Sequence, residues 1–293
     1  MTGVPPHARP GLPVQTRALW ARRRQALGRV VVHLLLLASI AVIAFPLYYV
    51  FVLSTQSMEE VMVRPTILRP STHLIENYVA AWTQAGMGRK LMNSLGVAVA
   101  IALGKIVISL LSAFAIVYFR FALRKVVFWM VFVTLMLPVE VRIVATYQVV
   151  SNLGWLNSYY GLTIPLMASA TATFLFRQFL QTVPGELAEA AQLDGAGPMR
   201  FLWSILLPLS VTNVAALFVV LFVYGWNQYL WPLMITHTEE MQVAVIGIRQ
   251  LVNPELPQWN ITMAAAMMTL LPPVLVIVFM QRWFVQGLME SEK

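Results

Sequence analysis

Residues 184–208 read PGELAEAAQLDGAGPMRFLWSILLP, and this polar stretch in an otherwise apolar chain decides the fold. Pro184 suits the first turn of a helix, because its missing N–H would have no partner there. Gly195 suits the end of that helix, and Pro198 suits the start of another. The stretch therefore predicts a short helix, a sharp bend and a second helix, all outside the hydrocarbon of a membrane.

The first of these helices is predicted to present one surface to another protein. Leu187, Ala190 and Ala191 follow at helical spacing and share a face, and the small alanines let a partner approach closely. Glu186 and Glu189 lie near the positive N-terminal end of the same helix, where a carboxylate is favourable.

Composition places the chain in a membrane. Of its 293 residues, 59% are apolar and only 11% are charged, and the mean hydropathy is +0.73. Soluble proteins carry about 25% charged residues. The absence of cysteine excludes disulfides and thiolate metal sites, and the scattered histidines show no metal-ligand spacing. The net charge of +8 comes from residues near helix ends, so it does not indicate nucleic-acid binding.

Six apolar runs predict an all-α, polytopic protein with six transmembrane helices, since about 20 residues cross the hydrocarbon. Residues 1–29 are rich in Pro and Arg and are expected to form a disordered basic tail before a membrane domain at 30–293. Most Lys and Arg lie on the side of the N-terminus, which predicts that both termini are cytoplasmic. The six runs are 30–51, 93–119, 126–147, a more polar run that ends near 176, 211–233 and 261–280.

The spacing within 184–208 resembles the EAA loop of ABC importer permeases of the carbohydrate type. The matching positions are Glu189-Ala190-Ala191, Gly195, Ile205 and Leu207-Pro208, with Asp194-Gly195-Ala196 and Phe201 in the fuller form, Trp226-Asn227 with Tyr229 and Pro232, and Gln281-Arg282 with Phe284-Val285 and Gly287-Leu288. From about residue 33 onward, the chain is similar to the second permease subunit of sn-glycerol-3-phosphate importers.

This resemblance implies a cytoplasmic coupling helix between spans four and five, which docks on an ATPase. The expected coupling residues are Glu186, Glu189, Ala190, Ala191, Asp194, Gly195, Ile205 and Pro208. The implied partners are a second permease, an ATPase dimer with its ATP and magnesium, an external binding protein and the lipid of the bacterial inner membrane. Gly104-Lys105 lacks the other residues of a phosphate-binding loop, so the chain is expected to be a non-enzymatic subunit without a cofactor.

Three charges fall inside the predicted spans, where a charge is expensive and therefore often functional. At about 1.5 Å per residue, Lys105 and Glu140 lie roughly 20 and 21 Å from the same membrane edge. We therefore predict a structural Lys105–Glu140 pair between two helices. Arg142 remains without a counter-charge and has two interpretations: it contacts a phosphate ester through its planar fork of donors, or it extends to the interface.

The end of the fifth run offers further candidates. Asn227, Gln228 and Tyr229 either line the substrate path or bond helices together. Trp226 and Trp231 are expected to serve packing, as part of the aromatic belt at the membrane surface.

The expected cargo is sn-glycerol-3-phosphate or a glycerophosphodiester, as the resemblance implies. Two alternatives remain open at this point. The chain could serve a neutral sugar or oligosaccharide, or it could be a secondary transporter in which Lys105 and Glu140 relay protons. The 184–208 stretch argues against the latter, because a carrier driven by an ion gradient needs no element that docks on an ATPase.

Overall fold

Helices form almost the whole of the molecule. A computed structural model describes residues 14–64, 66–134, 139–252 and 257–290, with the side chains of 28–283 except 65, 135–140 and 253–256. No strand occurs in these ranges, which confirms the all-α prediction for them. The helices are α1 (Val14–Ser54), α2 (Met58–Met62), α3 (Leu74–Gln84), α4 (Met87–Tyr118), α5 (Arg124–Val133), α6 (Val139–Asn152), α7 (Tyr159–Thr163), α8 (Ala170–Thr182), α9 (Gly185–Leu193), α10 (Pro198–Phe201), α11 (Leu207–Leu209), α12 (Val211–Trp226), α13 (Leu230–Ile235), α14 (Ala244–Leu251) and α15 (Trp259–Glu290).

Three helical stretches within these ranges are long and apolar enough to cross a membrane. They are Gly28–Ser54, Met87–Tyr118 and Trp259–Trp283. A fourth crossing results if Pro198–Leu209 and Val211–Trp226 are taken together, although the chain bends by 76° between them. The side chains of α1 from Gly28 onward are largely exposed, which suits contact with lipid or with another membrane protein.

The remaining predicted spans are divided into shorter helices. The run at 126–147 corresponds to α5 and α6, and the residues between them lie outside the described part of the chain. The run that ends near 176 corresponds to α7, a 3₁₀ turn at Ile164–Leu166, and α8. The N-terminal tail also differs from the prediction, because α1 already begins at Val14; residues 1–13 lie outside the described part.

The core forms where α4 packs between α8 and α12. Ala98, Ala102 and Ile106 recur at four-residue intervals on one buried face of α4, as expected for a helix packed along its length. Small residues let the helices approach closely: a Cβ atom built on Gly225 of α12 would lie only 3.0 Å from the Cα of Ala98. On the other side, α15 packs against α1, α3 and α12.

Polar contacts close the end of this core that lies farthest from Tyr118. The side-chain amide of Asn93 donates to the backbone oxygens of Glu240 and Gln242 at 2.8 and 2.9 Å. The hydroxyl of Tyr159 donates to the Asn93 side-chain oxygen at 2.7 Å. These bonds join α4, α7 and the loop before α14.

Candidate functional site

The 184–208 segment has the predicted shape of two short helices joined by a bend. α9 ends in a Schellman turn, in which Gly195 has a φ of +73°. Residues with a Cβ atom rarely adopt this backbone conformation. The N–H of Ala196 donates to the oxygen of Ala191 at 2.8 Å, and the N–H of Gly195 donates to the oxygen of Gln192 at 3.0 Å. The sequence positions of Gly195 and Pro198 therefore do set the bend.

One side of this segment belongs to the chain's own core. Phe201, Leu202 and Leu206 are buried, and Leu202–Leu206 form a π-helical turn. The ring of Phe201 packs edge to face on that of Tyr118, at the end of α4. Ala191 is only 5% exposed and packs in the same cluster, so its small side chain serves internal packing.

The other side of the segment is available to a partner. Glu186, Glu189, Ala190, Asp194 and Gly195 are all exposed, as is Pro208, whereas Ile205 is half-buried against the core cluster.

Leu193 is a candidate coupling residue that the sequence reasoning missed. It is 90% exposed, more than any other large apolar side chain in the described part. The sequence carried one signal: a leucine stands immediately before the Asp-Gly bend, at the end of a helix predicted to lie outside the membrane.

A central cavity of about 600 Å³ lies at the middle of α4, between α6, α12 and the beginning of α8. Lys105 reaches it from α4 and is only 6% exposed. Its Nζ lies 3.7 Å from the centroid of the Tyr224 ring. Within the described part of the chain, no hydrogen bond or ion pair of Lys105 is found. The residues that line the cavity are Lys105, Thr134, Arg142, Ile143, Thr146, Pro165, Leu166, Ala168, Ser169, Ala170, Thr171, Val220, Leu221, Tyr224, Gln228, Leu230 and Trp231.

The predicted substrate-path residues divide into two groups. Arg142 and Gln228 line the cavity, whereas Asn227 and Tyr229 are not among its lining residues. The Tyr229 hydroxyl instead accepts a hydrogen bond from Nε of Arg249 at 3.1 Å. The side chain of Glu140 lies outside the described part, so the Lys105–Glu140 pair stays a prediction.

The two tryptophans near the cavity pack inside the protein, as expected, but they do not lie in a membrane-surface belt, and that part of the prediction was wrong. Trp226 and Trp231 are 2% and 3% exposed. Trp226 stacks on Phe222 in the core, and the indole N–H of Trp231 donates to the oxygen of Gly161 at 3.0 Å. Sequence position alone cannot separate a belt tryptophan from an interior one, because both lie at the end of an apolar helix.

The described side chains contain no group of three or more His, Asp or Glu residues that could hold a metal ion. Helices able to cross a membrane, next to a cavity that two cations line, are typical of a membrane transport protein. A family model described as "Binding-protein-dependent transport system inner membrane component" matches residues 105–290. The chain belongs to this family.

Three relatives with high sequence similarity carry the same name. The sn-glycerol-3-phosphate transport system permease protein UgpE of Brucella melitensis is 54% identical over 270 residues, which cover 89% of this chain and 96% of that protein. The protein of the same name from Rhizobium meliloti is 54% identical over 92% of this chain and 99% of its own length. That of Yersinia pestis is 55% identical over 89% and 96%.

Solved structures support the fold. A chain in the crystal structure of a bacterial ABC transporter involved in the import of the acidic polysaccharide alginate matches with a TM-score of 0.79 and 20% identity, over 89% of this chain and 98% of that one. A structure of a bacterial alginate ABC transporter in complex with an alginate pentasaccharide-bound periplasmic protein matches with a TM-score of 0.54 and 14% identity.

Proposed function

We propose that this chain is a permease subunit that forms half of the translocation pathway of an ATP-driven importer of sn-glycerol-3-phosphate. The observation that carries the proposal is 54–55% identity to permeases of that name along nearly the whole chain. The cavity agrees with an anionic cargo, because Lys105 and Arg142 both line it. Glycerophosphodiesters, which carry the same phosphate group with one charge fewer, are the related cargo.

The topology that fits this function has six spans with both termini in the cytoplasm. The apolar helices α1, α4 and α15 and the bent pair that contains α12 supply four crossings. The other two are α5 with α6, and α7 with α8. The bias of Lys and Arg toward the N-terminal side of the membrane supports this orientation. Residues 30–293 then form the permease domain of a bacterial inner-membrane protein, and the basic N-terminal residues lie in the cytoplasm.

In this topology the 184–208 segment faces the cytoplasm and serves as the coupling helix. Glu186, Glu189 and Asp194 supply exposed negative charge for basic groups of an ATPase, and Leu193 supplies an apolar contact. The opposite side of the segment packs on Tyr118 of α4. A movement of the ATPase is therefore transmitted into the helix that also bears Lys105. Hydrolysis of ATP, with its magnesium, takes place on the ATPase dimer, and this chain needs no cofactor of its own.

The remaining partners of the importer are a second, homologous permease and an external binding protein. The exposed apolar side chains of α1 provide a surface for the second permease or for lipid. The external protein delivers the cargo to the side of the membrane opposite the 184–208 segment.

The test is uptake by the complete complex reconstituted in lipid vesicles, with the ATPase side supplied with ATP. We expect labelled glycerol-3-phosphate to enter only when ATP and the binding protein are present, and unlabelled glycerol-3-phosphate, but not maltose, to compete. Uptake driven by an ion gradient without ATP, or competition by maltose alone, would contradict the proposal.

The coupling role is tested by Glu189→Lys, with Glu76→Lys as the control. Both carboxylates are exposed, but Glu76 lies in α3, remote in sequence from the 184–208 segment. We expect Glu189→Lys to weaken co-purification of the ATPase with the permeases, whereas Glu76→Lys leaves it unchanged. Equal co-purification of both variants would remove Glu189 from the docking surface.

A further inference from the structure

We propose that the central cavity is a binding site for the dianionic phosphate of a phosphate monoester, formed by Lys105, Arg142 and the N-terminus of α8. This inference rests on the proposed function and names the atoms that would recognise its cargo.

The charges of the cavity are unbalanced within the described residues. Its lining contains two cations, Lys105 and Arg142, and no described carboxylate. A buried ammonium that finds no counter-ion among the described residues is costly, and an aromatic face such as that of Tyr224 offsets only part of that cost. A dianion that enters the cavity supplies negative charge to both cations.

The beginning of α8 adds hydrogen-bond donors to this charge. Ser169, Ala170 and Thr171 line the cavity at the N-terminal end of this 13-residue helix. The Ser169 hydroxyl accepts from the N–H of Ala172 at 3.3 Å, whereas the N–H groups of Ala170 and Thr171 precede the first intrahelical bond and have no partner in the helix. A helix N-terminus with free N–H groups favours phosphate oxygens.

Arg142, Lys105 and the N-terminus of α8 can each bind a different part of one phosphate group. The Arg142 guanidinium can bond two oxygens with its fork of donors. Lys105 acts as a point charge at the buried end, and the N–H groups of α8 bond the remaining oxygen. The cavity volume of about 600 Å³ lies within the range of small-molecule sites.

The rest of the cavity can receive a small polar body attached to the phosphate. The Gln228 side-chain amide donates to the backbone oxygen of Tyr224 at 3.1 Å, which leaves its own oxygen as an acceptor for a hydroxyl. Thr146 lines the same cavity, and its hydroxyl already donates to the Arg142 oxygen at 2.9 Å. These groups fit the two hydroxyls of a glyceryl group better than they fit an apolar substituent.

The first experiment compares Lys105→Gln, Arg142→Gln and the control Lys125→Gln in the reconstituted complex. Lys125 is an exposed cation at the beginning of α5, away from the cavity lining. Each cavity variant should lower glycerol-3-phosphate uptake by roughly 10- to 100-fold, the range expected for loss of one hydrogen-bonded charge. Lys105→Arg, which keeps the charge, should recover part of the uptake. If Lys105→Gln fails to assemble, the exposed Arg142 carries the test alone.

A second readout separates this site from the proposed function. The thermal unfolding of the detergent-solubilised complex, without the binding protein, is measured with inorganic phosphate, glycerol-3-phosphate or glycerol. Both phosphates, but not glycerol, should raise the unfolding temperature of the wild type, and Arg142→Gln should abolish that rise.

The outcomes distinguish the two proposals. If phosphates stabilise the wild type through Arg142 but no glycerol-3-phosphate enters vesicles, the site stands and the proposed cargo falls. If the wild type imports glycerol-3-phosphate and both Gln variants import it equally well, the cargo stands and the site is overturned. Stabilisation that glycerol matches, or that Arg142→Gln retains, also overturns the site.

Discussion

The rings of Phe201 and Tyr118 meet edge to face, with their centroids 5.3 Å apart and their planes at 75°. Phe201 belongs to the 184–208 segment, and Tyr118 is the last residue of α4. This aromatic pair is therefore a direct contact between the proposed coupling segment and the helix that carries Lys105.

Replacing Phe201 by leucine should keep an apolar side chain but remove the edge-to-face contact. We expect the variant complex to hydrolyse several-fold more ATP per molecule of glycerol-3-phosphate imported. The reason is that a movement of the ATPase then displaces α4 less, so that more hydrolysis events occur without transport. The measurement is the ratio of phosphate released to substrate accumulated in vesicles. Phe279→Leu, at a side chain of α15 that is 74% exposed, should leave the ratio unchanged. An unchanged ratio in Phe201→Leu would show that coupling does not depend on this pair.

Gly225 should not tolerate even one methyl group. A Cβ atom at this position would lie 3.0 Å from the Cα and 3.3 Å from the oxygen of Ala98, so the backbones of α12 and α4 would have to separate. We expect Gly225→Ala to destabilise the protein by about 1–3 kcal/mol, the usual cost of overpacking.

The matched control for Gly225→Ala is Gly96→Ala in α4, where no atom lies within 4 Å of the added Cβ. This variant should be neutral or slightly stabilising, because alanine favours helix. Thermal unfolding of the two purified variants decides the matter: equal unfolding temperatures would mean that the close contact at Gly225 relaxes without cost.

The charge exchange Lys105→Glu with Glu140→Lys tests the predicted pair against the phosphate site. A purely structural pair predicts that the double variant recovers both assembly and uptake. The phosphate site predicts that uptake stays low, because the exchange puts a carboxylate at position 105 on the cavity wall. We expect the second result, measured as uptake per assembled complex. Full recovery of uptake would remove Lys105 from the site.

The stability of the protein should depend on pH through Glu60 of α2, which binds the loop before α3. The backbone N–H of Ser57 donates to this carboxylate at 2.9 Å and the Ser71 hydroxyl at 3.1 Å. These bonds, in that order, lower the pKa of Glu60 below its usual value of 4.5. A lowered pKa in the folded state stabilises the protein above pH 4.5, and this contribution is lost as the pH falls through the folded value.

Glu60→Gln should therefore unfold about 1–2 °C below the wild type at pH 7, since the group is partly exposed and its contribution is small. The difference should shrink as the pH falls from 4.5 through the lowered pKa of the folded state. If the difference in unfolding temperature persists at low pH, the substitution acts through the packing of the side chain and not through the charge of the Glu60 carboxylate.

The sequence predicted much of the polar segment because its signals are local. Gly195 and Pro198 act through backbone conformation, which depends only on neighbouring residues, and the bend forms where they stand. Ala191 could not be placed in the same way. The face of α9 that turns inward depends on the position of α4, which helical spacing within α9 does not contain.

The cavity also depends on contacts between distant parts of the chain, and the sequence predicted only part of it. Arg142 was recognised as a charge without a counter-ion, and the cavity does include it. Lys105, Tyr224 and the beginning of α8 meet at the cavity although they are far apart in sequence. No local sequence pattern could therefore predict that they meet. Trp231 was misplaced for a related reason, since its bond to Gly161 spans 70 positions.

α4 is helical without interruption over its 32 residues, and 13 positions, or about 20 Å, separate Lys105 from Tyr118. A hydrogen-bonded helix of this kind cannot shorten, so a displacement at Tyr118 also displaces Lys105. In the proposed importer, binding at the cavity and binding at the 184–208 segment are then thermodynamically linked, and linkage is reciprocal. Whatever factor the docked ATPase imposes on the affinity of the cavity for an anion, the anion must impose on the affinity of the 184–208 segment for the ATPase.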